Sequence, residues 1–181
     1  MTSYLIQIKQ CPECGCQFKV WAIASCNTID ARFYTDGSVE GSMYEEGSAL
    51  LTCPECNRYF WQEDVPTRKT IPDWEYTDDF AIEGLLDSLP SSGSVYRYDY
   101  ENVLNQGLWK NDIQEKYIRI RAWWSFNDAY RRRAAEDFRV PPDQETNLRR
   151  LLQLLDTNHP DESIMKAEIL RELGEFDPCL Q

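Results

Sequence analysis

Short runs of alternating apolar and polar residues fill the first sixty positions of the chain and predict β-strands. Residues 4–8 and 18–24 form two such runs, and residues 31–34 form a third, directly before Asp36-Gly37. An Asp-Gly pair favours a tight turn because glycine readily adopts positive φ. Residues 49–52 and 59–61 then complete a small predicted sheet.

Apolar residues recur at helical spacing in the second half of the chain. Four stretches show this pattern: 100–108, 113–124, 148–155 and 164–173. Pro141-Pro142 and Pro160 precede the last two stretches, and each opens a predicted helix in the first turn, where a helix accepts proline. Between the two patterns, residues 64–73 are polar and include two prolines, which predicts a linker.

Two copies of one cysteine motif lie in the strand-rich part. Cys11-Pro12-Glu13-Cys14-Gly15 is the first and Cys53-Pro54-Glu55-Cys56-Asn57 is the second, with 38 residues between Cys14 and Cys53. Each Cys-x-x-Cys lets two thiolates converge on one ion, so a pair can supply a tetrahedral four-sulfur shell. Glycine and asparagine are the residues that best tolerate the positive φ often needed after the second cysteine. The candidate metal ligands are therefore Cys11, Cys14, Cys53 and Cys56.

The duplicated motif resembles the two rubredoxin-like knuckles of a zinc ribbon. The strand and helix patterns predict an α+β protein, with a linker over 64–73 and an all-α helical bundle over 74–181. The 38-residue spacer is then an elaborated β arm. The resemblance implies a small β zinc ribbon over residues 1–63. It also implies one structural Zn²⁺ per chain, because four cysteine ligands leave no open position for water or substrate. Iron in the same four-sulfur shell is the alternative metal.

The last helical stretch carries a second resemblance. Residues 167–179, with Gly174 and Phe176, resemble the first helix and turn of a tetratricopeptide repeat, over about half of one repeat. The whole arrangement resembles uncharacterised bacterial cytosolic proteins rather than an enzyme family. That resemblance brings no activity with it.

The remaining cysteines and the single histidine limit the possible chemistry. Cys16 and Cys26 are expected to be buried free thiols, with Cys16 an alternative ligand, and Cys179 has no histidine near it in sequence. The only histidine, His159, precedes a proline and is expected at a helix entry. Three-histidine zinc chemistry is excluded, and any Ser-His-Asp or Cys-His arrangement would depend on this one residue.

Charge argues against nucleic acid as a partner. The chain has 31 acidic and 19 basic residues, and residues 1–63 hold eight acidic against four basic ones. An acidic surface repels phosphates. The exception is Arg131-Arg132-Arg133 near Trp123 and Trp124, and these arginines are expected to pair with the chain's own carboxylates or with an acidic protein partner. The two tryptophans lie about 100° apart on a helix, so one should pack inward and the other should meet a neighbouring helix or a partner.

The sequence therefore predicts a non-enzymatic zinc-ribbon protein of protein–protein interaction, an adaptor or an inhibitor. No phosphate loop, nucleophile elbow or second metal-ligand set is found, so no catalytic residue is predicted. The alternative is a nucleic-acid-associated zinc-ribbon protein of transcription or translation. No signal-peptide pattern or membrane-length apolar stretch occurs, which predicts a cytoplasmic protein without a membrane partner. The oligomeric state stays open.

Overall fold

The computed structural model describes residues 3–42, 44, 47–72, 80–93, 95, 99–132 and 139–179. The chain divides into two compact units. Unit 1 comprises Met1–Arg32 and Glu40–Val95, and unit 2 comprises Phe33–Val39 and Tyr96–Gln181. Strands and helices are both present, which confirms the predicted α+β class.

Unit 1 is built on a three-stranded antiparallel sheet with the order β2-β1-β7. Its strands are β1 (Ser3–Gln10), β2 (Gln17–Ser25) and β7 (Thr67–Pro72). The central strand β1 places Ile6 and Ile8 on one face, where they pack with Ile71 and with Leu86 of helix α1 (Phe80–Ser88). The alternation of the sequence thus produces one buried face, as expected for a half-covered antiparallel sheet.

Strand β7 lies where the sequence predicted a linker over residues 64–73. A short 3-10 helix, Gln62–Asp64, precedes it, and Ile71 pairs with Ile6 of β1. Proline misled the prediction because it cannot donate to a sheet, yet an edge strand tolerates it. Ile71 is fully buried, so the burial of this one side chain outweighs the polar character of the segment.

The buried side chain of Lys9 stabilises the same region through hydrogen bonds. Its side chain is 3% exposed, and Nζ donates to the carbonyl oxygens of Gln62 and Val65, at 3.2 and 2.9 Å, and to Thr67 Oγ1 at 3.1 Å. These acceptors satisfy all three hydrogens of the ammonium group. Burial lowers the pKa of the Lys9 side chain. The lysine therefore links β1 to the chain between the second cysteine motif and β7.

Unit 1 continues past the predicted boundary at residue 63. Lys19 Nζ donates to the Leu86 carbonyl at 2.8 Å near the end of helix α1. In the chain that follows, Ser91 forms a β-bridge with Lys19, and Gly93 forms one with Thr52. The compact units therefore differ from the predicted domains 1–63 and 74–181. The cause is tertiary packing of α1 on the sheet, which helical periodicity does not reveal.

Two small β-ribbons complete the strand-rich part. Strands β5 (Leu50–Thr52) and β6 (Tyr59–Trp61) pair antiparallel around the second cysteine motif. Strands β3 (Arg32–Phe33) and β4 (Val39–Glu40) pair at the tip of the predicted arm, around Asp36-Gly37. Gly37 has a φ of 81°, as the predicted turn requires.

Unit 2 consists of five helices and the arm tip Phe33–Val39 within the described residues. The helices are α2 (Asp99–Gln106), α3 (Asp112–Arg132), α4 (Pro142–Leu154), α5 (Pro160–Glu172) and α6 (Phe176–Cys179). Its main core joins Trp123 of α3 to leucines of α4 and to Ile169 of α5. His159 is the residue before the first turn of α5, which confirms its predicted place at a helix entry. No helix of the described residues is long and apolar enough to cross a membrane.

Arginines of this unit pair with its own carboxylates, and among the three predicted arginines this is seen for Arg131. Glu115 is 4% exposed and lies 2.8 Å from Arg119 and 2.7 Å from Arg150. The hydrogen bond from Arg150, opposed by burial and aided by Arg119, lowers the pKa of Glu115. Arg131 pairs with Asp36 and Asp128. The Arg132 side chain and Arg133 lie outside the described part of the chain.

Trp123 points inward and is fully buried, and its Nε1 donates to Glu172 Oε2 at 2.9 Å. Asn127 Nδ2 donates to Glu172 Oε1 at 3.0 Å. Burial nevertheless raises the pKa of Glu172 to about 7, with Glu168 acting in the same direction and Arg171 against it. The structure therefore favours the neutral form of this carboxyl group.

Glu172 makes stability fall as the pH rises. The pKa is raised above the unfolded value of about 4.3, so the contribution of the neutral carboxyl is fully present below that value and is lost as the pH rises through about 7. Between about pH 5 and pH 8, wild type should lose about 1–2 kcal/mol of unfolding free energy relative to Glu172→Gln, after allowance for solvent screening. Urea unfolding of both chains at both pH values measures this. Parallel pH profiles would contradict it.

Candidate metal centre

The two cysteine motifs fold into turns with the same backbone hydrogen bonds. In the first, Gly15 N donates to Cys11 O at 3.0 Å and Cys11 N donates to Cys16 O at 2.8 Å. In the second, Asn57 N donates to Cys53 O and Cys53 N donates to Arg58 O, both at 3.0 Å. The repeated sequence is therefore a repeated structure.

A left-handed residue closes each turn. Gly15 has a φ of 75° and Asn57 a φ of 57°. Glycine lacks the Cβ that makes this region unfavourable, and asparagine is one of the few other residues that enter it readily. The sequence signal after the second cysteine of each motif is thus confirmed at both positions. The turns connect β1 to β2 and β5 to β6, so each is held at the end of a hairpin.

The two turns bring the four predicted ligands together. The Sγ atoms of Cys11, Cys14, Cys53 and Cys56 all lie within 4.8 Å of one another. Across the two motifs, Cys11 Sγ lies 3.8 Å from Cys56 Sγ, and Cys14 Sγ lies 3.6 Å from Cys53 Sγ. A tetrahedron of sulfurs about 2.3 Å from a central Zn²⁺ has edges of about 3.8 Å. The four thiols can therefore hold one metal ion.

One side of the cluster is covered and the other is open. Cys11 and Cys53 are 2% and 0% exposed and pack with Phe18, Val20 and Leu51. The rings of Phe18 and Phe60 lie 5.6 Å apart between centroids and extend this apolar floor. Cys14 is exposed and Cys56 is half-buried. The floor keeps water from one half of the site, and an ion can enter from the other.

Backbone amides, burial and neighbouring thiols shift the pKa values of the cluster in different directions. Burial raises the pKa of Cys53, but hydrogen bonds from the backbone amides of Cys56 and Glu55, and then from neighbouring thiols, lower it to about 7. Cys14 receives a backbone hydrogen bond from Cys16, yet burial and the adjacent thiols raise its pKa to about 12. The cysteine pattern alone did not identify these backbone donors. It did predict the turns, and the turns are what place the amides beside the sulfurs.

The remaining cysteines stay outside the cluster. Cys16 is half-buried against the apolar floor, and its Sγ donates to the Gln17 carbonyl at 3.4 Å. Cys26 was predicted to be buried, but it is exposed because it follows the end of β2 at Ser25. The side chain of Cys179 lies outside the described residues. Only the four predicted ligands form a potential metal site within the described chain.

No protein-family model matches this chain, and comparisons with curated proteins and with solved structures find no match. The resemblance of residues 167–179 to a tetratricopeptide repeat gains no support from them. Function must therefore be inferred from the residues and their geometry.

The left-handed φ of Asn57 yields a test of the second turn. Asn57→Val should destabilise unit 1 by about 1–2 kcal/mol or more because a β-branched residue is disfavoured at positive φ. Asn57→Gly should be neutral or slightly stabilising, which makes it the matched control. Thermal unfolding of the two zinc-saturated chains, after their zinc contents are shown to be equal, isolates the backbone effect from metal binding. Equal stability of the two variants would contradict this account of the turn.

Proposed function

We propose that this chain is a non-enzymatic zinc-ribbon protein of the cytoplasm that acts in protein–protein interaction, as an adaptor or an inhibitor. The observation that carries the proposal is the convergence within 4.8 Å of four thiols from two turns with the same backbone hydrogen bonds. Cysteines in a metal-ligand spacing suit a reducing compartment, where thiols stay available as ligands.

Zinc suits this site better than iron as a structural ion, although four sulfurs alone accept either metal. Cys11, Cys14, Cys53 and Cys56 would hold the ion, and a complete four-sulfur shell leaves no position for a substrate. When bound, the ion supplies folding free energy and no reaction chemistry. A closed structural site of this kind favours a scaffold over an enzyme.

Charge and exposed apolar side chains favour a protein partner over nucleic acid. Glu13 and Glu55 are exposed beside the thiols, so this end of unit 1 is negative and repels phosphates. Ile29 and Phe33, near the arm tip, are 61% and 71% exposed. Ile29 lies in the turn before strand β3 and Phe33 lies on that strand, so both apolar side chains are available for contact with another protein.

Metal content tests the first half of the proposal. Purified wild-type chain should contain one zinc per molecule, and Cys53→Ser should lose it together with the fold of unit 1. Structural zinc contributes on the order of 10 kcal/mol or more to such modules. Cys26→Ser is the matched control, because Cys26 is exposed and outside the cluster, and it should keep the zinc. Elemental analysis and circular dichroism give the readouts. A metal-free wild-type chain, or a Cys53→Ser chain with unchanged metal content, would contradict the assignment.

Affinity capture from nuclease-treated native extract tests the second half. Wild type and Cys26→Ser should retain the same protein partner, and Cys53→Ser should lose it, because the partner reads a surface that the folded ribbon holds in place. Binding of the purified partner to the purified chain must follow with micromolar affinity or better. Capture that disappears on nuclease treatment would instead support the nucleic-acid alternative.

A further inference from the structure

The tip of the arm forms a self-contained turn over residues 34–38. Gly37 N donates to Tyr34 O, and Tyr34 N donates to Ser38 O, both at 2.9 Å. Asp36 Oδ1 accepts hydrogen bonds from the amide and the hydroxyl of Ser38, at 3.1 and 2.8 Å. One carboxylate oxygen of Asp36 is thus used to shape the turn itself.

Few residues anchor this turn. Among the described residues 26–42, only Asp36 and Ser38 are buried, at 1% and 8% exposure. The neighbouring Phe33 is 71% exposed. A short segment held by two polar anchors is typical of a recognised peptide, whereas an integral core strand buries alternate apolar side chains.

Side chains of helix α3 donate hydrogen bonds to the other two acceptors of Asp36, its Oδ2 and its carbonyl oxygen. Arg131 Nη2 and Asn127 Nδ2 donate to Asp36 Oδ2 at 2.5 and 2.9 Å, and Trp124 Nε1 donates to the Asp36 carbonyl at 2.7 Å. Residues 124, 127 and 131 fall on one face of a helix by their spacing. Trp124 is therefore the second tryptophan: it packs against the core formed with helices α4 and α5, as predicted, and its indole N–H also contacts the arm turn.

Shape is recognised as well as charge. Gly37 has a φ of 81°, and a Cβ added there would lie 2.0 Å from Met165 Cε of helix α5. The Arg131 guanidinium lies 3.9 Å from the centre of the Tyr34 ring. A turn without glycine at this position would be strained and would displace Met165.

The chemistry of these contacts suits selectivity more than stability. A buried ion pair such as Asp36–Arg131 contributes less to stability than apolar packing of the same volume, but it strongly rejects a ligand without the charge. Asn127 gives its Nδ2 hydrogens to Asp36 and Glu172, and its own Oδ1 is buried without a hydrogen-bond partner in the described part of the chain. An unpaired buried acceptor disfavours the docked state, which lowers the free energy needed to release the turn.

We propose that the face formed by Trp124, Asn127, Arg131 and Met165, the turn site, is a recognition site for an Asp-Gly-Ser turn. The arm fills this site as an internal ligand, and a partner protein that presents an exposed Asp-Gly-Ser turn displaces it. All of these contacts lie within unit 2, and none involves the cysteines of the proposed metal site.

An internal ligand competes strongly because it is tethered. The effective concentration of a segment on a short flexible connection is in the millimolar range, so an added peptide meets a nearly filled site in the wild-type chain. Removal of the Asp36 carboxylate should open the site without changing the helices that form it. The full-length chain with Asp36→Ala is therefore the receptor for the test.

The probe is a fluorescent peptide with the sequence of residues 31–41, and its anisotropy is measured with each full-length chain. Asp36→Ala should bind it saturably, and wild type should bind at least tenfold more weakly because its arm competes. A peptide carrying Gly37→Ala should lose at least tenfold in affinity. Addition of Arg131→Met to the Asp36→Ala chain should cause a similar loss, because the peptide carboxylate then lacks its cation.

Two results would overturn the proposal through this variant. One is a folded Asp36→Ala chain, judged by circular dichroism, that does not bind the peptide. The other is an Asp36→Ala chain that does not fold, because the turn would then be an integral part of the core.

Hydrogen exchange of the wild-type chain gives a separate test. The Ser38 amide and the Trp124 indole N–H should exchange at least tenfold faster than the amide of Leu151, which lies in the core of unit 2, because the turn opens without global unfolding. Equal exchange rates would show that the arm does not leave its site and would overturn the proposal.

Discussion

The convergence of four thiols is the constraint on which unit 1 depends. Two unit charges about 4 Å apart repel by roughly 4 kcal/mol at an effective dielectric constant of 20, so four thiolates at such distances require a cation among them. Three features arrange the thiols around a site for such a cation: the two matching turns, the apolar floor beneath Cys11 and Cys53, and backbone amides directed at sulfur. Hairpins β1–β2 and β5–β6 can then share one centre.

The chain between those hairpins connects the thiol cluster to a second polar centre. The arm leaves β2 after Ser25 and returns at Leu50, so both of its ends lie on the hairpins that carry the cysteines. Its tip belongs to the helical unit, where Asp36 is held by an arginine, an asparagine and a tryptophan. The long spacer between the two cysteine motifs is therefore an insert whose tip packs on helix α3 of unit 2.

Local sequence patterns predicted the local features well. The cysteine motifs indicated their own turns, including the positive φ at Gly15 and Asn57, and the Asp-Gly pair indicated the arm turn. Adjacent tryptophans had to separate on a helix, and Trp123 is buried in the core while Trp124 contacts Asp36. Each of these features depends on neighbours within a few residues, which the sequence shows directly.

Long-range features were missed for a common reason. Strand β7 was mistaken for a linker because the buried position of Ile71 depends on pairing with β1, more than sixty residues earlier. The boundaries of the units differ because Leu86 packs on the sheet and because residues 33–39 join the helices. Asp36 looked like an ordinary turn residue, since its partners Asn127 and Arg131 lie some ninety residues away in sequence. Only tertiary structure identifies such pairs.

X-ray absorption at the metal edge of the purified full-length chain tests the central claim most directly. The account predicts a zinc edge and a single shell of four sulfur neighbours at about 2.3 Å, with no nitrogen or oxygen in the first shell. An oxygen- or nitrogen-containing shell would show that the four cysteines do not enclose the ion. A purified chain without bound metal would show that no ion holds the two cysteine hairpins of unit 1 together.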